Sequence, residues 1–433
     1  MSETDRRLVI VVRADPVICG HSVEARNLAE TALERGFTDV RIVTWPIERL
    51  QAAGLPLKPL DAVLPYSPGI TVERPAPVGD YKVPDGRYVA GITGRLIELF
   101  TDGVPTVALS LYLSPHTLAV SDALRAAWGT GLPVDVTTVA EAVGSDVTNV
   151  VRTAVEEGRL GAAAHILSSY LSQDVCVAVS EYTRDLIVAE AEQIDARHGT
   201  RFAEQCRARI AISYPAIDSD PYLDLDDARI EEVLASRGLE RDGYVLFLSR
   251  LAAAKGVDDL IAGFELSHLD DGVQLVIAGR GPQEEAFRAR AEESPLAHRI
   301  HFLTDVGDAE KPYLMAGCAA FALPSKPRPE FVETFGIALA EKMLAGGGPI
   351  ITVPTGGIGE AVGEHAIMVP AEDAAAIGAA LDRAILRTTR MERERQAVAA
   401  REYALQFDRR NVFDRLFARV PRPILDREPV PEV

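Results

Sequence analysis

Short apolar runs alternate with longer amphipathic segments along most of the chain. "RLVIVV" precedes "SVEARNLAETALERG", and "YVLFLSR" precedes "VDDLIAGFEL". "VQLVIAG" precedes "PQEEAFRARAEE", and "AAFALPS" precedes "GIALAEKMLAGG". Continuous apolar strands bounded by helices predict parallel sheets covered on both faces. The pattern then restarts. One strand–helix series runs from residue 7 to about 212, and a second begins at "GYVLFLSR" near 244. Between them, "SYPAIDSDPYLDLDDAR" is rich in Pro and Asp and reads as a linker. The pattern predicts an α/β protein of two Rossmann-like, doubly wound parallel-sheet domains facing a cleft. The expected boundaries are 1–215 and 216–402, with a loose tail at 421–433. A last helical pattern at about 403–420 suits either domain, with packing back on the first as one of the two arrangements. Residues 47–90 are Pro-rich and read as an irregular insertion, either a surface excursion or an acceptor-side loop.

Length agrees, because 433 residues exceed one ordinary core. No apolar window reaches about 18 residues, so no membrane span is expected. "MSETDRRLVIVV" lacks a small-residue cleavage site and reads as a first strand. Cys19, Cys176, Cys206 and Cys318 form no CxxC pair. Neither a zinc knot nor a disulfide framework is implied, and a reducing cytoplasm fits. A net charge of −19 argues against a nucleic-acid partner. An anionic ligand stays open wherever cations cluster. Only six of the 45 cationic residues are lysines, so each lysine is worth following. Abundant Arg and Ala with little Lys suggest a GC-rich bacterial genome and are compatible with specialised metabolism.

Candidate chemistry gathers at strand ends. In "EFVETFGIALAEKM", Gly336 falls where a helix begins, and Glu333 and Glu341 stand on either side of it. Helix starts leave N–H groups that suit phosphate, and Gly lets a ligand approach the backbone. Glu333 can accept from sugar hydroxyls, and Glu341 suits the two hydroxyls of a ribose. The plainer alternative makes Glu333 a helix-dipole partner and Glu341 a solvated face residue. In "LFLSRLAAAKGVDDLI", Arg250 and Lys255 stand between a strand and a helix, where two cations can neutralise a diphosphate. A pair of solvated loop charges is the alternative. Gly279-Arg280-Gly281 and Thr355-Gly356-Gly357 each follow a strand and read as tight turns with N–H donors.

Together, "SRLAAAKGVDDLI", "IAGRGP" and "ALPSKPRPEFVETFGIALAEKMLAGGGPIITVPTGGIGEAV" resemble the retaining glycosyltransferases of family 4, which have the GT-B fold. The resemblance covers most of residues 244–375 and is thin in the first half. It implies a nucleotide-sugar donor, with a UDP- or GDP-sugar favoured, and a small soluble acceptor. Arg250 and Lys255 would grip the donor diphosphate, and Glu333 would hold the transferred sugar. Phe335, Gly336 and Ile337 would supply donor contacts, with Gly279 beside them, and Glu341 would bind the ribose. Gly20, in "CGHS", would approach the donor from the first domain. No metal and no cofactor are implied, since cations and helix N-termini replace them.

One departure concerns a stretch of the form H-G-S-D. Here Gly144-Ser145-Asp146 follows Val143, where a His is expected. His21, His116 and Asp146 are the candidates for the missing sugar or acceptor contact. Without a replacement, an easily ionised acceptor such as a thiol becomes attractive beside a hydroxyl. A sugar phosphorylase or epimerase on the same fold is an alternative, as is a sugar-nucleotide-binding protein without catalysis. A dinucleotide dehydrogenase is disfavoured, because "VVRADPVICGHS" lacks GxGxxG.

Overall fold

The computed structural model describes residues 6–80, 82–328 and 331–421. The expected tail at 421–433 therefore lies almost wholly outside the described residues. The chain divides into two compact units, Met1–Ile217 with Arg409–Val433, and Asp218–Asp408.

The first unit holds a seven-stranded parallel sheet. Its strands are β1 (Arg7–Val11), β2 (Asp39–Val43), β3 (Ile70–Glu73), β4 (Thr106–Leu111), β5 (Val136–Ala142), β6 (Val175–Ala178) and β7 (Ile210–Ile212). The spatial order is β3-β2-β1-β4-β5-β6-β7. Strand residues alternate faces, and the core follows that period of two. Leu8 and Ile10 pack with Ala25, Leu28 and Ala29 of the helix Gly20–Glu34. Val9 and Val11 face the other way, onto Ile92, Leu96 and Leu99 of the helix Gly86–Thr101. Residues 47–90 are less irregular than expected. They include the helix Ile47–Ala52 and the edge strand β3, which pairs in parallel with β2. The short run "ITVE" alternates apolar and polar residues, too briefly to mark a strand by itself, and pairing with β2 makes it one.

The last helical pattern is split in two. The helix Arg390–Ala404 starts with a capping box of Thr389 and Glu392. The helix Arg409–Phe417 then belongs to the first unit. Phe413 and Phe417 stack at 3.9 Å and meet Phe37 edge-on. Arg409 bonds Glu34 at 2.6 Å and Arg35 bonds Asp414 at 2.7 Å, which fixes this helix against Gly20–Glu34.

The second unit holds a six-stranded parallel sheet. It comprises β8 (Tyr244–Leu248), β9 (Gln274–Ala278), β10 (Ile300–Leu303), β11 (Ala320–Leu323), β12 (Ile350–Thr352) and β13 (Ala366–Met368). The order is β10-β9-β8-β11-β12-β13. Order reverses direction at β8/β11 here and at β1/β4 in the first unit. Open α/β sheets bind ligands beside the carboxyl ends of strands at such points. The expected linker is more than a connection, because Tyr222 within it is 4% exposed. Among the described residues, no helix is long and apolar enough to cross a membrane.

Candidate functional site

In the second unit, the loops after β8, β9, β11 and β12 lock together at the carboxyl end of the sheet. Gly279 has φ 132°, and a Cβ there would sit 2.0 Å from the Ser249 carbonyl. Leu251 N–H donates to Arg280 O at 2.9 Å, which ties the β8 loop to the β9 loop. Gly256, with φ 71°, lies so near the Pro324 carbonyl that a Cβ would meet it at 2.0 Å. Lys326 N–H donates to Ala254 O at 2.8 Å, joining the β8 and β11 loops. Gly357 N–H donates to Glu333 O at 2.9 Å, joining β11 to β12. The glycines read as tight turns thus serve backbone-to-backbone contact that no side chain could share.

Each lysine of this unit has a partner. The Lys255 ammonium forms an ion pair with Glu333 and lies 4.8 Å from the centre of the Phe331 ring. Two residues singled out separately are therefore one charge pair, with side chains 10% and 14% exposed. Lys311 bonds Glu341 at 2.6 Å. Lys326 holds Asp258 at 2.7 Å and Asp259 at 3.0 Å. Lys342 is buried and bonds the Gly346 carbonyl. Arg250, by contrast, is exposed and has no ion pair among the described residues.

Gly336 is the N-cap of the helix Ile337–Ala345, with φ 102° and no side-chain cap. Leu339 N–H already bonds Gly336 O at 2.9 Å. The Phe335 ring is buried against Phe407 at 4.9 Å, so only its backbone can meet a ligand. Ile337 opens the helix. Glu341 is 7% exposed, which corrects the reading of a solvated face residue. Its carboxylate lies within hydrogen-bonding reach of the buried Tyr222 hydroxyl. Neither Lys311 nor Tyr222 was expected here. Scarcity made every lysine worth following, but nothing in the sequence tied Lys311 or Tyr222 to Glu341.

In the first unit, Gly20 begins the helix Gly20–Glu34 beyond β1. His21 Nδ1 is buried without a hydrogen-bond partner among the described residues. Burial, then the nearby Arg13 charge, pushes the His21 imidazole down to about 3, so it is neutral at pH 7. His116 is different. Its Nδ1 meets Leu111 O at 2.6 Å, and its Nε2 accepts from Trp45 Nε1 at 3.0 Å. Both ring nitrogens are committed, so His116 has none left for a sugar.

Asp146 is also committed. It accepts from the backbone N–H groups of Leu113 (2.8 Å), Gly144 (2.9 Å), Val147 (3.0 Å) and Val143 (3.2 Å). It organises the turn after β5 and has no exposed surface to offer an acceptor. Burial outweighs those bonds and pushes its carboxyl up to about 6. Val143 is buried and fills its place with hydrocarbon. Nearby, Glu24 and Glu141 lie within hydrogen-bonding reach of each other, both buried. Ala216 N–H donates to Glu24 at 3.2 Å. Burial pushes Glu24 up to about 7 and Glu141 well above its usual range, so the pair keeps a proton at neutral pH.

Among the described residues, no group of three His, Cys, Asp or Glu side chains could hold a metal ion.

Comparison with known proteins follows the same division. Residues 230–403 match the family model described as Glycosyl transferases group 1. Over 194 residues the chain is 32% identical to the GDP-mannose-dependent alpha-(1-6)-phosphatidylinositol monomannoside mannosyltransferase of Mycobacterium tuberculosis. That match covers 44% of this chain and 46% of the mannosyltransferase, so the chain spans about half the length of that relative. Two solved structures share the fold over 95% of this chain. They are HepE of Anabaena in complex with UDP and glucose (TM-score 0.66, 17% identity, 98% of that chain) and sucrose-phosphate synthase of Thermosynechococcus elongatus (TM-score 0.66, 18% identity, 98% of that chain). The two parallel-sheet units have the GT-B fold, and the second carries the group 1 glycosyltransferase pattern.

Proposed function

We propose that the protein is a retaining glycosyltransferase that moves a sugar from a nucleotide-sugar donor to a small soluble acceptor. The observation that carries this reading is the meeting of four strand-end loops beside β8/β11. There Lys255 is joined to Glu333, the uncapped helix start at Gly336 lies beside Glu333, and Arg250 has no ion pair among the described residues. UDP- and GDP-sugars are the favoured donors. The mannosyltransferase relative is GDP-mannose-dependent by name, and HepE binds UDP and glucose.

Rupture of the bond from the anomeric carbon to the phosphate oxygen leaves positive charge on the sugar and negative charge on the departing diphosphate. Arg250 and the Gly336 helix start stabilise that leaving group, an effect felt most in the transition state. Lys255 contributes charge while holding Glu333 in position for the sugar hydroxyls. Glu341, oriented by Lys311, receives the ribose hydroxyls. The acceptor attacks on the face the diphosphate leaves, and its proton passes to that diphosphate, so no protein base is needed. Metal-independence and a hydroxyl or thiol nucleophile belong to the same reading.

The test incubates the full chain with UDP-, GDP-, ADP- and dTDP-sugars and a broad acceptor panel. Nucleoside diphosphate release and the product's anomeric configuration by NMR are measured. Retained configuration supports the proposal, and an inverted product overturns the mechanism. Donor binding without turnover would favour a non-catalytic sugar-nucleotide binder, a reading supported by buried Val143 and the committed nitrogens of His116.

A further inference from the structure

The carboxyl end of β1 carries a cation with no ion pair among the described residues. Arg13 follows β1 by two residues, and its guanidinium lies 4.8 Å from the centre of the Tyr112 ring beyond β4. It therefore stands at the β1/β4 switch point of the first unit. The carboxylate nearest in sequence, Asp15, is taken by Arg26 at 2.9 Å and by the Tyr66 hydroxyl at 3.0 Å. Arg74 adds a second positive charge. It donates to the backbone carbonyls of Trp45 (2.7 Å) and Asp15 and forms no ion pair among the described residues. Arg26 and Arg74 thus converge on Asp15, with Glu48 also within electrostatic reach of Arg74, while Arg13 stands two residues before Asp15 in a chain whose net charge is −19.

The surroundings also present unmet hydrogen-bonding capacity. His21 Nδ1 and Ser22 Oγ, in the first turn of the helix Gly20–Glu34, are buried without partners among the described residues. Tyr112 holds φ 95°, a strained value for a residue with a side chain. The bond from its N–H to Glu141 O at 3.1 Å helps to hold it there. Such strain is kept where surrounding structure enforces a functional geometry. Burial first, and the nearby Arg13 charge after it, keep His21 and His116 neutral, so neither adds a positive charge beside Arg13.

We infer that this switch point binds an anionic group, a carboxylate or phosphate carried by the acceptor, with Arg13 as the residue that selects for it. The inference rests on the glycosyltransferase reading for the word acceptor, but the anion site stands on the geometry of the first unit. Arg13 would bind the anion through a forked, charge-assisted contact. The matched neutral compound would leave Arg13 without a partner and bind more weakly.

The full chain, saturated with whichever of UDP and GDP binds it, is titrated calorimetrically with inorganic phosphate, glucose 6-phosphate, glucuronate and glucose. The expected result is binding of phosphate and of at least one anionic sugar ahead of glucose. Arg13→Met should weaken that binding about tenfold or more, and Arg13→Lys should fall between, as loss of a charge-assisted contact requires. Arg250→Met should leave it unchanged. Equal binding of glucose and its anionic partners overturns the inference, as does anion binding indifferent to both Arg13 variants. An equal loss in Arg250→Met assigns the anion to the donor diphosphate site and also overturns it. If no nucleotide binds, the glycosyltransferase reading fails separately. The nucleotide-free protein then still reports the anion site through the two Arg13 variants, each checked for folding by thermal unfolding.

Discussion

Lys255 and Glu333 show what a single residue's environment does to its meaning. Each was legible as chemistry, since a scarce lysine followed a strand and a glutamate preceded a helix start. That they pair was not legible, because 78 residues separate them and only the β8/β11 adjacency brings them together. If the pair acts as a unit, Lys255→Met and Glu333→Gln should not add. Each strands the other's charge or hydrogen bond, so the double variant should be more stable than the sum predicts by about 1–3 kcal/mol in a double-mutant cycle. Chemical denaturation of the four proteins measures this, and strict additivity would separate the residues.

Glu24 and Glu141 extend the residue scale to pH. Burial raises both carboxyls in the folded state, Glu24 to about 7. The folded protein therefore binds protons that the unfolded chain releases above the ordinary carboxylate range. Their contribution to stability is fully present at lower pH and is lost as pH rises from about 4.5 through 7. Glu24→Gln removes one titration and keeps a donor for Glu141. The variant's unfolding temperature should fall less than the wild type's between pH 5 and 8. A parallel fall in both proteins would deny the shared proton. Neither glutamate stood out in the sequence, since one lies in an amphipathic helix and the other near the end of β5, a strand with two threonines.

At the scale of elements, periodicity carried most of the information. Continuous apolar runs marked β1, β8, β9 and β11 because both faces of a parallel sheet are buried. β3 escaped notice because an edge strand with partly buried residues needs no apolar run. The break between Ala404 and Arg409 was also hidden. "REYALQFDRRNVFDRLFARV" stays helical in composition throughout, and packing onto the first unit decides where it splits. That packing makes a firm prediction. Phe413 is 2% exposed and stacked on Phe417, so Phe413→Ala should destabilise the first unit by about 3–5 kcal/mol. A loss below about 1 kcal/mol in denaturant unfolding would show this helix to be loosely attached.

At the scale of the whole molecule, the candidate site was legible where backbone chemistry imposes residue types. Gly256, Gly279 and Gly357 sit where one loop's backbone presses on another's, and only glycine fits. Partners supplied by distant segments were not legible. Tyr222 comes from a stretch that reads as a linker, and Lys311 from the start of the helix Lys311–Gly317. His116 misled for the same reason, because Trp45 and the Leu111 carbonyl that satisfy it lie on separate strand ends.

The account depends on the strand-end loops of the second unit receiving a nucleoside diphosphate. Calorimetric titration of the full chain with UDP, GDP, ADP and dTDP measures that directly. We expect one of them to bind at a single site, with Arg250→Met and Glu341→Gln each weakening it about tenfold or more. Binding of none of the four, or binding that neither substitution alters, would contradict it.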